Sequence, residues 1–543
     1  MKNVLVLLTV ILLYNSSYGQ MGEWTWMNGD SAANSLGHYG TQGVFDSLNT
    51  PPGFYEACEW TDLNGNFWLF GGYGYGTNGE YSDLWEFKPT INQWAWMKGP
   101  GIINQYGVYG VQGIPSPTNN PGCRGYGVAT WTDSSGNLWL SGGVGYAVIT
   151  GGNLADLWKY NISTNEWTWM KGDTSGFGLT VYGTLNIPNI ANTPGRRYET
   201  CANWYYNNSL WLFGGIINTY LFSDLWMYNI NTNEWTWKKG DSVFNSPGIY
   251  GIRGIPNIAN YPSARASYAH WKEGNNLWIC GGISLLNHLK NDVWRYNIIT
   301  NEWTWMSGDS TGNSVAVLST PICIPSLNNM PAARGENRSY WEIGDNNFMF
   351  YGGYDFAYAY NDLWNFNSST NEWTLISGDT TRSQTSIYGY KTISNLNNKP
   401  GNRCGANGWK DNNCNLWMFG GMKLPIGTRN DMWRYVLDTS CINFSSCNNE
   451  TVGIPSTTLT PPQISLYPNP TTGTFTLSYH LSNPNAAFQL LDISGRVVYK
   501  HSISGSIGNE IIDASALSSG IYFWQLTSPT ETWQGKVVIA KSE

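Results

Sequence analysis

The sequence has little charge, few histidines and no surplus of basic residues. Charged residues make up 12% of its 543 residues, against roughly 25% in a typical soluble domain, and the net charge is −8. Nucleic-acid binding is therefore not predicted, because phosphates are neutralised by an excess of Lys and Arg. The five His form no cluster of metal-ligand spacing, so the sequence predicts no metal site and no other cofactor.

Long apolar runs are absent beyond the first twenty residues. Lys2, the apolar residues 4–14 and the small residues Ser17 and Gly19 predict a secretory signal peptide over residues 1–19. No other stretch approaches the roughly 18 apolar residues of a membrane-spanning helix. We therefore expect an exported chain with no transmembrane helix.

Cysteine is sparse, and its count of nine is odd, so not all of it can pair within one chain. Cys441 and Cys447 lie in a segment without strand signals, and Cys404 and Cys414 flank a predicted hairpin, so each pair is a candidate disulfide in an oxidising compartment. Three more cysteines are predicted to be small buried residues inside strands: Cys58, Cys201 and Cys280.

Aromatic residues and glycine are abundant, with 30 Trp and 62 Gly, and they recur in a repeat of about 70 residues between residues 21 and 438. Each unit has a Trp, an apolar run closed by two Gly, an Asp-apolar-Trp triplet and, in all but the last unit, a segment similar to EWTW. The Gly pairs begin at Gly71, Gly142, Gly214, Gly281, Gly352 and Gly420. The triplets begin at Asp83, Asp156, Asp224, Asp292, Asp362 and Asp431.

Each of these four motifs predicts a short β-strand, and no segment predicts an amphipathic helix of useful length. The apolar runs and the alternating DLWKYN and EWTWM segments have strand periodicity, and the turns between them are typical of hairpins. We call the four strands a, b, c and d in chain order. Six such antiparallel sheets arranged radially form a β-propeller. The paired glycines predict either positive φ angles or a close backbone neighbour.

The strand count predicts how the ring closes. The last unit stops after Trp433 without an EWTW segment, whereas an isolated one occurs at residues 23–26. The N-terminal strand is therefore expected to complete the sixth blade, which removes an open sheet edge. Every Trp except Trp524 and Trp533 occupies a repeat position, so the Trp content predicts blade packing and not a sugar-binding platform.

The repeat resembles the kelch repeat, in the Gly pair, the Asp-Leu-Trp-x-Tyr segment and the Trp about ten residues later. The resemblance covers residues 21–438 and implies a six-bladed propeller with one blade per repeat. Kelch repeats are near 50 residues long, and the additional residues here lie between strand d and the next strand a. We call these segments the d–a insertions.

The d–a insertions and the b–c loops are expected on the same face of the propeller, where they form a candidate binding surface. Four recurring tyrosines are predicted to be exposed binding residues there: Tyr109, Tyr182, Tyr250 and Tyr388. The alternative is that they hold the loops against the blades, and their regular recurrence favours it.

Five insertions end in an arginine, and the first unit has Tyr55 in that place. These arginines are candidate ligands of a carboxylate or sulfate: Arg124, Arg197, Arg265, Arg334 and Arg403. The alternative is an ion pair inside each blade with the Asp that precedes strand c. The resemblance favours that alternative, because kelch proteins carry such an Arg.

The search for catalytic residues identifies none. There is no nucleophile elbow and no phosphate-binding loop, and the Asp residues that recur once per blade predict fold maintenance. Some kelch propellers are copper oxidases, but no matching set of Tyr, His and Cys-linked Tyr can be selected here.

The sequence changes character after residue 438. A linker rich in Ser, Thr, Asn and Pro spans residues 439–463, and about seven short alternating segments follow in residues 464–543, which predict a small Ig-like β-sandwich. This segment resembles the type A C-terminal sorting domain of the type IX secretion system of Bacteroidetes. The matching residues include Tyr467, Pro468, Asn469, Pro470, Gly495, Arg496, Gly520, Tyr522, Gly535 and Lys536. An ordinary Ig-like adhesion module is the alternative.

These observations predict an all-β chain with a signal peptide (1–19), a six-bladed kelch propeller (20–438), a linker (439–463) and a sorting sandwich (464–543). The resemblance implies contact with the type IX secretion machinery and a location outside a Gram-negative cell, secreted or on its surface. The leading function is binding of an extracellular protein or glycan through the loop face. The alternatives are a carbohydrate-active enzyme (a hydrolase, a lyase or a galactose-oxidase-like enzyme) with its site over the channel mouth, and a structural surface component.

Overall fold

The computed structural model describes residues 22–199, 202–382, 384–423, 427–442, 444, 464–469, 471–481, 485–492, 495–505, 507–528 and 532–541. The chain divides into two compact units, Met1–Asn449 and Glu450–Glu543. The predicted signal peptide and most of the predicted linker lie outside the described residues. Among the described residues, no helix is long and apolar enough to cross a membrane.

The first unit consists of six four-stranded antiparallel blades around a central channel. The strands, in the order a, b, c, d, are Cys58–Thr61, Phe67–Phe70, Leu84–Lys88 and Gln93–Lys98 in blade 1; Ala129–Thr132, Leu138–Ser141, Leu157–Asn161 and Glu166–Lys171 in blade 2; Ala202–Tyr206, Ser209–Phe213, Leu225–Asn229 and Glu234–Lys239 in blade 3; Ala269–Glu273, Asn276–Ser284, His288–Asn297 and Glu302–Ser307 in blade 4; Ser339–Gly344, Asn347–Tyr351, Leu363–Asn367 and Glu372–Ser377 in blade 5; and Asn407–Lys410, Leu416–Phe419, Met432–Tyr435 and Trp24–Asn28 in blade 6. Strands a of neighbouring blades contact one another and line the channel.

Short strands in the b–c loops and before strand a complete the unit. They are Tyr73–Gly74, Gly79–Glu80, Arg124–Gly125, Val144–Tyr146, Gly151–Asn153, Ile216–Ile217, Tyr220–Leu221, Arg265–Ala266, Met422–Lys423 and Gly427–Thr428, together with one 3₁₀ turn at Leu285–Asn287.

The predicted ring closure is confirmed. The N-terminal strand pairs antiparallel with strand c of blade 6, with Trp24 opposite Tyr435 and Trp26 opposite Trp433. Trp24 is 3% exposed and packs edge-on against Tyr351 of blade 5, with ring centroids 5.3 Å apart. The first strand of the fold therefore pairs with a strand about 410 residues away in sequence.

The paired glycines satisfy both of the predicted requirements. Gly71 and Gly72 have φ angles of +74° and +94°. The Gly72 N–H donates to the carbonyl of Arg124 in the next blade at 2.8 Å, and a Cβ on Gly71 would collide with that carbonyl. The pair is thus a backbone junction between neighbouring blades, and any side chain there would push them apart.

The tryptophans of strands a join neighbouring blades, as predicted for blade packing. The indole N–H of Trp60 donates to the carbonyl of Trp139 in blade 2 at 2.8 Å, and that of Trp131 donates to Trp211 of blade 3 at 3.0 Å. These indole rings are almost fully buried. Burial of so large a ring at each junction contributes several kcal/mol before conformational entropy is subtracted.

The d–a insertions cover the outer edges of the blades. In every blade, one backbone N–H from the insertion that precedes strand a donates to a carbonyl of strand d of the same blade. The pairs are Gly43 to Trp96, Gly113 to Trp169, Asn186 to Trp237, Gly254 to Trp305, Cys323 to Leu375 and Thr392 to Trp26, at 2.7–2.9 Å. The additional length of the repeat therefore partners edge carbonyls that are otherwise open to pairing with another chain.

The predicted disulfides are wrong. Cys441 bonds to Cys323, 118 residues away, and Cys404 is a free buried thiol although Cys414 is disulfide-bonded. Spacing in the sequence favoured nearby partners, whereas the ring brings the insertion of blade 5 beside the segment that follows blade 6. Cys58 and Cys280 are free and buried as predicted, and Cys201 and Cys447 lie outside the described residues.

In its described residues, the second unit is a β-sandwich of seven strands, as predicted. One sheet has the order Ile464–Tyr467, Thr474–His480 and Ile507–Asp513, and the other has Val497–Ser504, Asn485–Leu491, Gly520–Thr527 and Thr532–Ile539. Phe475, Leu477, Phe488, Leu490 and Leu526 form its core between the two sheets.

Candidate functional site

The five recurring arginines are buried in ion pairs inside their blades. Each guanidinium contacts the Asp that precedes strand c of its own blade, at 2.5–2.8 Å, and both side chains are at most 2% exposed. The pairs are Arg124–Asp156, Arg197–Asp224, Arg265–Asp292, Arg334–Asp362 and Arg403–Asp431. Burial raises the pKa of Asp292, but Arg265 and its hydrogen bonds outweigh that effect, so the pKa lies below its ordinary value.

The four predicted tyrosines donate to the same carboxylates. The hydroxyls of Tyr109, Tyr182, Tyr250 and Tyr388 lie 2.5–2.9 Å from Oδ2 of the Asp in the same blade. Their expected exposure is wrong, since Tyr109 is 4% exposed and the others are partly buried. The geometry matches the interpretation that these groups hold the insertions against the blades. A direct binding role for the nine Arg and Tyr residues stays a prediction.

Blade 1 departs from this arrangement, and the assignment of Tyr55 to the arginine position is wrong. Backbone hydrogen bonds place Phe54 there. Its carbonyl accepts the N–H of Gly421, just as the carbonyl of Arg124 accepts the N–H of Gly72 in the next blade pair. Asp83 therefore has no guanidinium partner in this position. Burial raises its pKa to about 6, an effect that the Gly101 N–H and the Tyr39 hydroxyl only partly offset.

A ring of six residues surrounds the channel axis, two positions after the arginine position in each blade. Backbone N–H to carbonyl bonds of 2.8–3.2 Å join neighbouring members at five of the six junctions, and all six have φ between +51° and +60°. In blade order the members are Glu56, Tyr126, Glu199, Ser267, Glu336 and Gly405. Five non-glycine residues thus adopt a left-handed conformation that costs about 1 kcal/mol or more each, and the ring of hydrogen bonds enforces it.

Alternate members of this ring are glutamates, and we call Glu56, Glu199 and Glu336 the axial glutamates. They are 0%, 8% and 7% exposed, and the Ser267 hydroxyl donates to Glu199 at 2.9 Å. Burial, and then the neighbouring carboxylates, raise the pKa of Glu56 well above its ordinary value and that of Glu336 to about 7. Burial also raises the pKa of Glu199.

The channel below the axial glutamates is polar as well. Glu59 lies 4.0 Å from Arg338 of blade 5, and burial raises the Glu59 pKa to about 7. His270 contacts the Tyr340 hydroxyl at 3.2 Å, and burial lowers its pKa to about 3. Among the described residues, no group of three His, Cys, Asp or Glu is arranged to hold a metal ion.

Sequence reasoning missed the axial glutamates, because the search targeted known motifs and residues that recur in every blade. One signal was available. An acidic residue two positions after the arginine position in alternate repeats is unusual in a chain with only 12% charged residues. Residues that interrupt a repeat are not required by the blade itself and are therefore candidates for function.

A cavity of about 510 Å³ opens among the loops of blades 4 and 5. Its walls belong to the b–c loops of the two blades and to the insertions on either side of blade 5, within residues 287–289, 313–316, 332–333, 355–360 and 380–382. Both loop types therefore meet on one face, as predicted, although the insertion tips extend to the outer edges.

The sorting-domain residues lie on neighbouring strands of the second unit. Tyr467 ends the first strand, and the Asn469 side chain, beside Pro468, bonds to the backbone of Lys536 and Val538 at 2.9 Å each. Gly495 and Arg496 form the turn closed on Asp492. Gly520 and Tyr522 belong to one strand, and Gly535 and Lys536 to its neighbour. Pro470 lies outside the described residues.

Comparisons with known proteins agree with both units. Residues 465–540 match the family described as a secretion system C-terminal sorting domain. The chain is 24% identical over 254 residues to Kelch domain-containing protein 10 from Bos taurus, which covers 40% of this chain and 51% of the relative. It is 25% identical over 175 residues to human Multiple epidermal growth factor-like domains protein 8, which covers 32% of this chain and 5% of that protein. The chain thus spans about half the length of the first relative and a small part of the second.

The sorting domain implies interaction with the type IX secretion machinery and secretion to the cell surface or beyond in Bacteroidetes. The six blades, the recurring Gly pairs and Asp-Trp triplets, and these similarities lead to one assignment. The first unit is a six-bladed β-propeller that is similar to kelch-domain proteins, and the second unit contains a type IX secretion-system sorting domain.

Proposed function

We propose that this protein is an extracellular binding protein that holds a protein or glycan on the face formed by its b–c loops and d–a insertions. The cavity of about 510 Å³ among the loops of blades 4 and 5 carries the proposal, because these two loop types form almost all of its wall. Recognition residues commonly lie on loops that a rigid scaffold positions, and the propeller is such a scaffold.

The test compares ligand capture by the two faces of the propeller. Purified mature protein is screened against extracellular proteins and glycans, and the hits are repeated with Leu286→Ala plus Tyr358→Ala, which remove exposed side chains from the b–c loops of blades 4 and 5. Leu63→Ala plus Ile91→Ala, in exposed turns at the opposite ends of the strands, is the matched control. Loss of capture only with the first variant supports the proposal, and equal capture by both variants contradicts it.

A second candidate function, a carbohydrate-active enzyme with its site at the channel mouth, is favoured by the axial glutamates. General acid catalysis near neutral pH needs a carboxyl group whose pKa is raised, and Glu336 has a pKa of about 7. The assay is release of reducing ends from a panel of polysaccharides by the wild type and by Glu199→Gln and Glu336→Gln. Activity that both variants retain would exclude the axial glutamates as catalytic residues.

A further inference from the structure

We propose that the cavity between blades 4 and 5 binds an uncharged saccharide through Arg382, Asn287 and Phe356. This inference rests on the proposed function and specifies the ligand class of the same face. The cavity volume of about 510 Å³ lies within the range of roughly 300–1,000 Å³ typical of small-molecule sites.

The charges of the cavity cancel. Arg382 and Asp355 are the charged residues of its wall, and they form an ion pair with an N–O distance of 2.7 Å. The Asp355 carboxylate also accepts the Tyr358 N–H at 2.9 Å and the Tyr360 hydroxyl at 3.1 Å, so its oxygens are engaged by the protein. The Arg382 side chain is 48% exposed, and its guanidinium presents several N–H donors in a fork, of which the carboxylate engages only a part. The site therefore offers hydrogen bonds without net charge, which favours hydroxyl groups over an anionic ligand.

Some of the other polar groups at the wall form hydrogen bonds within the protein, and others are available to a ligand. The Asn313 side chain accepts the Leu289 N–H at 2.9 Å, and the Ser314 hydroxyl donates to Asp309 at 2.9 Å. In the part of the chain that the structure describes, no hydrogen bond engages the amide of Asn287 or the hydroxyl of Thr380. An amide and a hydroxyl each donate and accept, as do the hydroxyl groups of a saccharide.

An aromatic ring and an aliphatic surface supply the apolar contacts. The Phe356 ring is 44% exposed and is held edge-on by Tyr354, with ring centroids 5.4 Å apart. Leu289 and Ala332 contribute aliphatic surface to the same cavity. A pyranose ring has C–H faces that stack on an aromatic ring and edge hydroxyls that reach polar groups, so one such ligand satisfies both kinds of wall.

The fold does not account for these side chains. Residues that build the blade recur in most or all of the repeats, whereas the sequence Asp355-Phe356-Ala357-Tyr358 occurs once in the chain. The ion pair with Arg382 is also unlike the five recurring Arg–Asp pairs, because its guanidinium is half exposed and theirs are buried. Because the Arg382 side of the pair is about half exposed, solvent weakens its contribution to stability, and stability alone does not explain its placement.

The experiment is calorimetric titration of the mature full-length protein with neutral hexose oligosaccharides and with uronic-acid oligosaccharides of the same length. We expect the neutral ligands to bind more tightly, and we expect Phe356→Ala and Arg382→Met each to raise Kd about tenfold. Phe177→Ala is the matched control, because Phe177 is an exposed ring beside Arg196, 5.8 Å away, in another insertion. Unchanged melting temperatures establish that the variants are folded.

Three results would overturn the inference: no binding of neutral saccharides, tighter binding of the uronic acids, or an unchanged Kd in both Phe356→Ala and Arg382→Met. The proposed function fails separately. If no saccharide binds but a protein ligand is captured and is lost in the Leu286 and Tyr358 variant, the saccharide inference fails and the proposed function stands. If that variant leaves all capture unchanged, the proposed function fails as well.

Discussion

Replacement of Glu336 by Gln should make the propeller more stable at pH 8 and remove part of its dependence on pH. Glu336 is 7% exposed and lies close to Glu199, Tyr55, Tyr354 and Cys404, so its ionised form is poorly solvated and repelled by a second carboxylate. Gln has nearly the same shape and carries no charge at any pH.

The magnitude follows from the pKa. Burial and Glu199 raise the pKa of Glu336 from 4.5 to about 7, so the folded protein holds this proton more tightly than the unfolded chain. The resulting stabilisation is complete below about pH 4.5 and is lost as the pH rises through about 7. At 1.36 kcal/mol per pKa unit, ionisation of Glu336 lowers the free energy of unfolding of the wild type by about 3 kcal/mol. Glu56 and Glu199 shift in the same direction and add to the loss.

The assay is calorimetric unfolding of the wild type and Glu336→Gln at pH 5, 6, 7 and 8. We expect the melting temperature of the wild type to fall across this range and the variant to exceed it at pH 8 but not at pH 5. Glu302→Gln, on the outer strand of blade 4, is the control and should follow the wild type. Wild-type stability that is constant or increases between pH 5 and pH 8 would refute the reasoning.

Three further changes test the scaffold by denaturant unfolding. Arg265→Met leaves a buried carboxylate without its cation and should lower the free energy of unfolding by about 3–5 kcal/mol. A loss below about 1 kcal/mol would contradict the burial of this ion pair. Trp24→Ala should lower the free energy of unfolding by about 3–5 kcal/mol, as Trp235→Ala in blade 3 should, because both buried rings lie in outer strands. A Trp24 variant with unchanged stability would exclude ring closure by the N-terminal strand. Replacement of Cys323 and Cys441 by Ser removes the bond that restricts the unfolded chain, and it should lower the free energy of unfolding by up to about 4 kcal/mol. Unchanged stability would show that the bond does not constrain the unfolded chain.

The arginine positions show where sequence reasoning succeeded and where it stopped. The recurrence of Arg and Asp once per blade indicated an ion pair, and the structure contains five of them. In blade 1, however, the predicted residue Tyr55 is wrong, and the backbone hydrogen bonds identify Phe54 as the equivalent residue. The five arginines precede the next Trp by six or seven residues, so spacing permits Gly53 or Phe54 in blade 1, and the hydrogen bonds decide between them.

The sequence by itself determined the blade, the number of blades, the closing strand and the sorting domain. All of these depend on local periodicity or on motifs that recur at a fixed spacing, and local patterns are readable along the chain. The tertiary structure alone decided the Cys323–Cys441 bond, the axial glutamates, the edge contacts of the insertions and the cavity of Asp355 and Arg382. Each of these depends on which distant segments the closed ring brings together, and that proximity is set by the geometry of six packed sheets and not by any short stretch of sequence.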